Sequence, residues 1–260
     1  MKPSLPSSLY TKQYYQKYNH GYEIFKQKMD LLPDLKKFLV ANIKKGDKVL
    51  DVGCGRGETL YLCHKLGAKG VGIDYSHAAI EIARQSLKAY LSPKDTQVKL
   101  MDAKKLAYKN QSFDVVIMLD IVEHLYGWEL TQALKEAHRV LKKHGKLLIH
   151  TTPNKLNMQL TRMLAKLVGV KLTSDSYHIN EQTPGSLSQY LKHSFHRVDL
   201  ILFKDHHYYS NQMSNRGLIL KRLARLTDGI LDSRAVNWLY LLPSVKTWLS
   251  TDIYAICEKT

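Results

Sequence analysis

The sequence predicts an α/β fold built on a parallel sheet. Three observations carry this expectation. Short apolar runs alternate with helix-patterned segments from Asp47 onward. A glycine-rich turn joins the first run to the first helix. Phe113–Leu119 (FDVVIML) is nearly all apolar, as a strand covered on both faces should be.

Each element follows in order. Lys48–Val52 (KVLDV) reads as a buried strand, GCGRG as the turn, and Glu58–Leu66 as a helix. Lys69–Asp74 is a second strand, Ser76–Leu91 a second helix and Gln97–Met101 a short third strand. Phe113–Leu119 is the fourth strand, Trp128–Leu141 a helix and Gly145–Thr151 the fifth strand. Before the sheet, Tyr22–Ile43 reads as one Lys-rich helical lead-in. After it, residues 153–176 contain an amphipathic helix with Leu156, Leu160, Met163, Leu164 and Leu167 on one face. Thr183–Lys192 is a helix and Arg197–Phe203 a strand. A second elaboration, 211–249, starts as another basic amphipathic helix: Ile219, Leu223, Leu226 and Ile230 oppose Lys221, Arg222 and Arg225. Thr251–Cys257 is the last strand.

Composition narrows the function. The chain has 260 residues, 44% hydrophobic and 24% charged, as expected of a soluble globular protein. Three cysteines (Cys54, Cys63, Cys257) exclude a disulfide framework, show no zinc-finger spacing and suggest a reducing, cytosolic setting. No signal-peptide core and no apolar run of spanning length is present. The net charge of +16 points to an anionic partner or surface. It is concentrated: residues 137–174 hold eight Lys or Arg and no acidic residue, and 211–249 hold six against two.

The chemistry-bearing segment is Val49–Gly57 (VLDVGCGRG). A strand ending in a carboxylate, Asp51, runs into Gly53, Gly55 and Gly57, which allow a tight turn and close approach of a ligand to the backbone. The spacing is G-x-G-x-G. Asp51 would repel a diphosphate and suits a cationic group. The second strand ends in Asp74, placed to accept hydrogen bonds from ribose hydroxyls. The third leads to Asp102, placed to meet an adenine amino group. Three acidic strand tips describe a nucleoside with a positively charged tail.

With these motifs in view, the chain resembles the class I S-adenosylmethionine-dependent methyltransferases, most closely the small-molecule enzymes related to the ubiquinone-biosynthesis O-methyltransferases. VLDVGCGRGE (49–58), GVGIDYS (70–76), MDAKKL (101–106), FDVVIMLDIVEHL (113–125) and LLIHTTPN (147–154) carry the resemblance. It implies a Rossmann-like, seven-stranded, mostly parallel sheet flanked by helices, with helical elaborations after strands 5 and 6. It further implies a lead-in or lid over 1–46 and a methyltransferase domain over 47–260, with insertions at about 153–182 and 205–249. S-adenosyl-L-methionine would be the cofactor. Gly53, Cys54, Gly55 and Gly57 would line its methionine portion, with Asp51 near the amino group. Asp74 and Tyr75 would meet the ribose, Asp102 and Ala103 the adenine, and Leu119 and Asp120 the floor under the sulfonium.

For the reaction, Glu123, His124 and His178 are the catalytic candidates. His124 suits a general base for an acceptor hydroxyl, or a packing and gating role. His178 is expected to begin the helix walling the acceptor pocket. Asp120-x-x-Glu123-His124 resembles the divalent-metal ligands of the ubiquinone-biosynthesis relatives, with Asp where those have Glu. Tyr14, Tyr15 and Tyr22 are lid candidates. The expected activity is methylation of a small molecule, favouring O-methylation, on a lipid or lipid-linked acceptor in one reading. An RNA methyltransferase and a catalytically silent scaffold are the alternatives. The basic helices read either as lids with apolar faces turned inward or as a peripheral membrane surface, with nucleic acid behind both. The sequence leaves the oligomeric state open.

Overall fold

In the computed structural model, residues 4–18, 21–92, 97–167, 177–205 and 218–260 are described. Seven strands form one sheet: β1 (Lys48–Val52), β2 (Lys69–Asp74), β3 (Gln97–Leu100), β4 (Phe113–Leu119), β5 (Leu141–Thr151), β6 (Arg197–Phe203) and β7 (Asp252–Glu258). Their order is β3-β2-β1-β4-β5-β7-β6. All pairings are parallel except those of β7, which runs antiparallel to β5 and to β6. Chain order reverses between β1 and β4, so a crevice opens at the carboxyl ends of these strands, where doubly wound sheets bind their ligands.

The helices are α1 (Tyr22–Lys28), α2 (Pro33–Val40), α3 (Glu58–Lys65), α4 (His77–Lys88), α5 (Gly127–Val140), α6 (Lys155–Leu167), α7 (Pro184–Lys192), α8 (Leu218–Leu231), α9 (Arg234–Leu239) and α10 (Pro243–Leu249). The period-2 alternation of β4 sorts the core. Val116 and Met118 pack with Leu130, Leu134 and Ala137 of α5 and Leu187 and Leu191 of α7. Val115 and Ile117 pack with Leu35 and Leu39 of α2 and Leu62 and Cys63 of α3.

Three elements depart from the sequence reading. The lead-in helix is broken: Met29 takes φ 50°, and Pro33 restarts the helix at its first position, where its missing N–H costs nothing. β5 begins at Leu141 directly after α5, paired with Phe113 across a register shift, rather than at Gly145. The segment at His178 is not helical; α7 starts at Pro184, capped by Thr183, whose hydroxyl accepts from the Ser186 N–H. Part of each predicted elaboration, residues 168–176 and 206–217, lies outside the described residues.

Candidate active site

The crevice at the β1/β4 switch point is a cavity whose wall includes Asp51, Gly53, Cys54, Gly55, Asp74, Tyr75, Asp102, Ala103, Leu119 and Asp120, ten of the eleven cofactor candidates. Gly57 is the exception. At φ 89° it is the N-cap of α3, and a Cβ there would meet Leu87 Cδ1 at 3.0 Å, so it serves the packing of α3 on α4. Gly53 has φ 76°, and a Cβ there would collide with Ile121, so only glycine lets β1 turn beneath the β4 loop.

Carboxylates dominate this wall. Asp51 is 2% exposed, and its Oδ2 has no hydrogen-bond partner. Burial, reinforced by the nearby Glu58 and Asp74 charges, pushes its pKa well above the usual carboxylate range. Asp74 accepts N–H bonds from Ser76 (2.9 Å) and Gly55 (3.2 Å). Burial outweighs these bonds and raises its pKa to about 6. Asp102 is half exposed and pairs with Lys104 Nζ at 3.0 Å, which also reaches Glu129 at 2.8 Å.

The segment before the sheet closes over this wall. Tyr10, Tyr14 and Tyr15 are buried, packed with Ala79, Tyr75 and Tyr177. Ser76 Oγ donates to the Tyr10 carbonyl (2.8 Å), and a Cβ on Gly55 would touch the Tyr15 ring. Arg56 fastens the two parts. Its guanidinium pairs with Glu58 at 2.6 Å, donates to the Tyr15 carbonyl at 3.1 Å and lies over the Phe25 and Tyr22 rings. Tyr14 and Tyr15 thus lie where a lid is expected, whereas Tyr22 is only half buried against Arg56. Tyr10 and Arg56 were not singled out by the sequence, although Arg56 stands inside the GCGRGE motif.

On the acceptor side, Val122–His124 forms one 3-10 turn. His124 Nδ1 lies 3.0 Å from the Tyr177 carbonyl and Nε2 3.4 Å from the Tyr14 hydroxyl. A carbonyl only accepts, so Nδ1 carries the proton and the Nε2 lone pair faces the hydroxyl in the cavity. His178 is not in the cavity wall; its ring packs on His124 at 4.9 Å. Glu123 is 1% exposed and also outside the wall. Its Oε2 accepts from Thr151 Oγ1 at 2.8 Å, while Oε1 has no partner. Burial, then repulsion from Asp120, raises its pKa to about 8, so it is protonated near neutral pH. Glu123, His124 and His178 bring one potential ligand atom each within 4.8 Å of one another, a geometry open to a divalent cation.

Asp120 departs from the expected metal set. At φ 52° it pairs with His150 Nδ1 at 2.6 Å and does not join the Glu123–His124–His178 cluster. His150 Nε2 lies 3.3 Å from Asp252 Oδ1, and Tyr254 packs on the ring. Burial alone would lower the His150 pKa; the two carboxylates overcome it and raise the pKa to about 10. The buried imidazolium therefore holds the cavity-floor carboxylate in place.

The comparisons with known proteins agree with this geometry. Residues 50–149 match the family model described as "Methyltransferase domain". The matched segment, residues 50–149, thus resembles the class I S-adenosylmethionine-dependent methyltransferases, as the sequence motifs do. It is 31% identical over 155 residues to a demethylmenaquinone methyltransferase of Lactobacillus johnsonii, covering 55% of this chain and 63% of that one. It is 34% identical over 127 residues to a ubiquinone biosynthesis O-methyltransferase of Pelagibacter ubique, covering 49% of each. The chain thus spans about half to under two-thirds of these relatives' length. Among solved structures, a SAM-dependent methyltransferase from Archaeoglobus fulgidus shares the fold with TM-score 0.59 at 19% identity, over 93% of this chain and all of that one.

The methyltransferase cofactor fits the residues present. S-adenosylmethionine carries an ammonium and a sulfonium and no phosphate. The wall offers the unpartnered Asp51 Oδ2 and the buried Asp74, while the cations Arg56 and Lys104 are already paired with Glu58 and Glu129. Asp51, Gly53 and Gly55 would hold the methionine portion and Asp74 the ribose.

Proposed function

We propose that the chain transfers a methyl group from S-adenosylmethionine to a hydroxyl of a small-molecule acceptor. The observation carrying this reading is the orientation of His124: an imidazole whose proton is committed to the Tyr177 carbonyl and whose Nε2, at the cavity wall, accepts from the Tyr14 hydroxyl in the position an acceptor hydroxyl would take. The cofactor, when bound, supplies a methyl on a sulfonium and a neutral leaving group. The chain's own residues then align the acceptor and hold a proton. His124 Nε2 takes the hydroxyl proton, and the Tyr177 carbonyl steadies the resulting imidazolium. Tyr10, Tyr14 and Tyr15 exclude water above the site. Glu123, neutral near pH 7, and His178 position His124 from behind. The names of the demethylmenaquinone and ubiquinone relatives suggest a ring hydroxyl of quinol type on a lipid-like molecule.

The test is turnover of labelled S-adenosylmethionine with hydroxylated aromatic acceptors carrying short and long apolar tails. His124→Gln should lower kcat by about 10²–10⁴-fold while leaving cofactor affinity unchanged by calorimetry. Equal turnover by the variant would remove the base assignment, and absence of cofactor binding would favour a silent scaffold. A second reading rests on the Glu123–His124–His178 cluster: a divalent cation held there would polarise the acceptor oxygen. Loss of turnover on chelation, restored by Mg²⁺ or Zn²⁺, tests it.

A further inference from the structure

The segment from α8 to α10 is amphipathic the wrong way round for a lid. Several of its polar groups make inward contacts. Asp228 is 6% exposed, Asn237 Oδ1 accepts from the buried Lys204 Nζ at 2.8 Å, and the Tyr240 hydroxyl meets Ser250 Oγ at 2.9 Å. Its apolar groups turn outward: Leu226 is 63% exposed, Ile230 65%, Trp238 69% and Leu241 75%. Of the fourteen large hydrophobic side chains exposed among the described residues, seven fall within 218–249. Half of the exposed large apolar side chains thus fall on one segment of thirty-two residues, a concentration that calls for a partner in a way scattered ones do not.

Charge identifies the partner. The exposed charged side chains described in this segment, Arg222, Arg225 and Arg234, are all cationic. The acidic ones are withdrawn: Asp228 is buried and Asp232 is half buried beside Lys204 Nζ at 3.4 Å. A second copy of the chain would bring like charges together across a two-fold axis. An anionic bilayer complements both features, taking Trp and Leu at the headgroup boundary and Arg at the phosphates. No helix among the described residues is long and apolar enough to cross a membrane, so the contact lies in the interface plane.

Topology places this surface beside the active site. β5 and β6 end, and the antiparallel β7 begins, at the same sheet edge where β1 and β4 end. α10 leads within three residues to Asp252, which bonds to His150 and through it to Asp120 in the cavity wall.

We propose that Leu226, Ile230, Trp238, Leu241, Leu242 and Trp248 form a docking face for an anionic lipid bilayer, holding the open edge of the sheet at the membrane surface. This goes beyond the methyl-transfer reading and does not depend on it.

The test is flotation of the full chain with vesicles of phosphatidylglycerol and phosphatidylcholine, and with phosphatidylcholine alone. The wild type should float with the anionic vesicles and weakly with the neutral ones, and its tryptophan emission should shift to the blue. Trp238→Ser with Leu241→Ser, both at exposed positions, should lower partitioning by about tenfold or more. Tyr90→Ser, half exposed on a different part of the surface, should leave it unchanged. Absence of flotation, or equal flotation of the double variant, overturns the proposal. A wild-type dimer dissolved by the same double variant also overturns it and assigns the face to a second copy. Circular dichroism and thermal melts on each preparation confirm the fold without reference to the cofactor and keep this outcome separate from the methyl-transfer reading.

Discussion

The buried His150 imidazolium has a pH signature that can be measured. Its pKa is held at about 10, against an ordinary value of 6.5. Stability from this group is therefore fully present below 6.5 and is lost as pH rises through 10. Within that window the native state binds one proton more than the unfolded chain, so stability falls by about 1.4 kcal/mol per pH unit. Glu123, raised to about 8, and Asp74, raised to about 6, add slopes of the same sign below pH 8, and the buried Cys54, Cys63 and Cys257, whose pKa values burial raises, add to it above, so the His150 contribution is read as a difference between two variants in which these cancel. The perturbation is His150→Gln. Because the imidazolium also lowers the Glu123 pKa, both proteins should carry Glu123→Gln, which preserves a neutral acceptor for Thr151. Allowing for the rounding of the titration near pH 10, the stability advantage of the histidine over the glutamine variant should shrink by about 2 kcal/mol between pH 8 and 10. Urea unfolding followed by circular dichroism measures it. A difference constant within ~0.5 kcal/mol, or an imidazole resonance titrating near 6.5, would refute the charged Asp120–His150–Asp252 arrangement.

Three further outcomes follow. Asp51→Asn should stabilise the ligand-free chain by roughly 1 kcal/mol or more, since it removes a buried charge facing Glu58 and Asp74, while weakening S-adenosylmethionine binding by about 10–150-fold; thermal melts and calorimetry read the two opposite effects. Gly53→Ala should cost roughly 2–4 kcal/mol in urea midpoint terms, combining the left-handed φ with the collision at Ile121. Arg56→Met strands Glu58 without its buried partner and should cost about 3–5 kcal/mol, with faster proteolytic clipping ahead of α1 because the Tyr15 carbonyl loses its anchor.

What the sequence disclosed follows the range of each interaction. Asp51, Asp74 and Asp102 were legible because each lies within two residues of a strand's end, inside a short local motif. The pairing of Asp120 with His150 and Asp252 was not, because it joins positions 30 and 102 residues apart from His150, and its partners come from the end of β4, from β5 and from β7. The segment Asp120–His124 does carry a metal-like spacing. The positive φ at Asp120 sends that carboxylate elsewhere, and His178 arrives from another part of the chain. Periodicity also told which residues of α8 share a face, but not which way that face points. Leu226 and Ile230 lie on solvent while Ala224 and Asp228 are buried, the reverse of the inward-facing lid reading.

The placement of β7 has a consequence for how the chain is made. β6 pairs with β7 and with no other strand, and β7 stands between it and β5. Arg197–Phe203 therefore leaves the ribosome before its partner strand β7 has been made. It must wait through more than forty further residues, including the apolar α8–α10 segment, before Asp252–Glu258 emerges and both strands join together. Asp252 also completes the pair of carboxylates around His150. The nascent sheet thus holds that histidine without its second counter-charge until β7 inserts, and the Trp238 face emerges before that insertion.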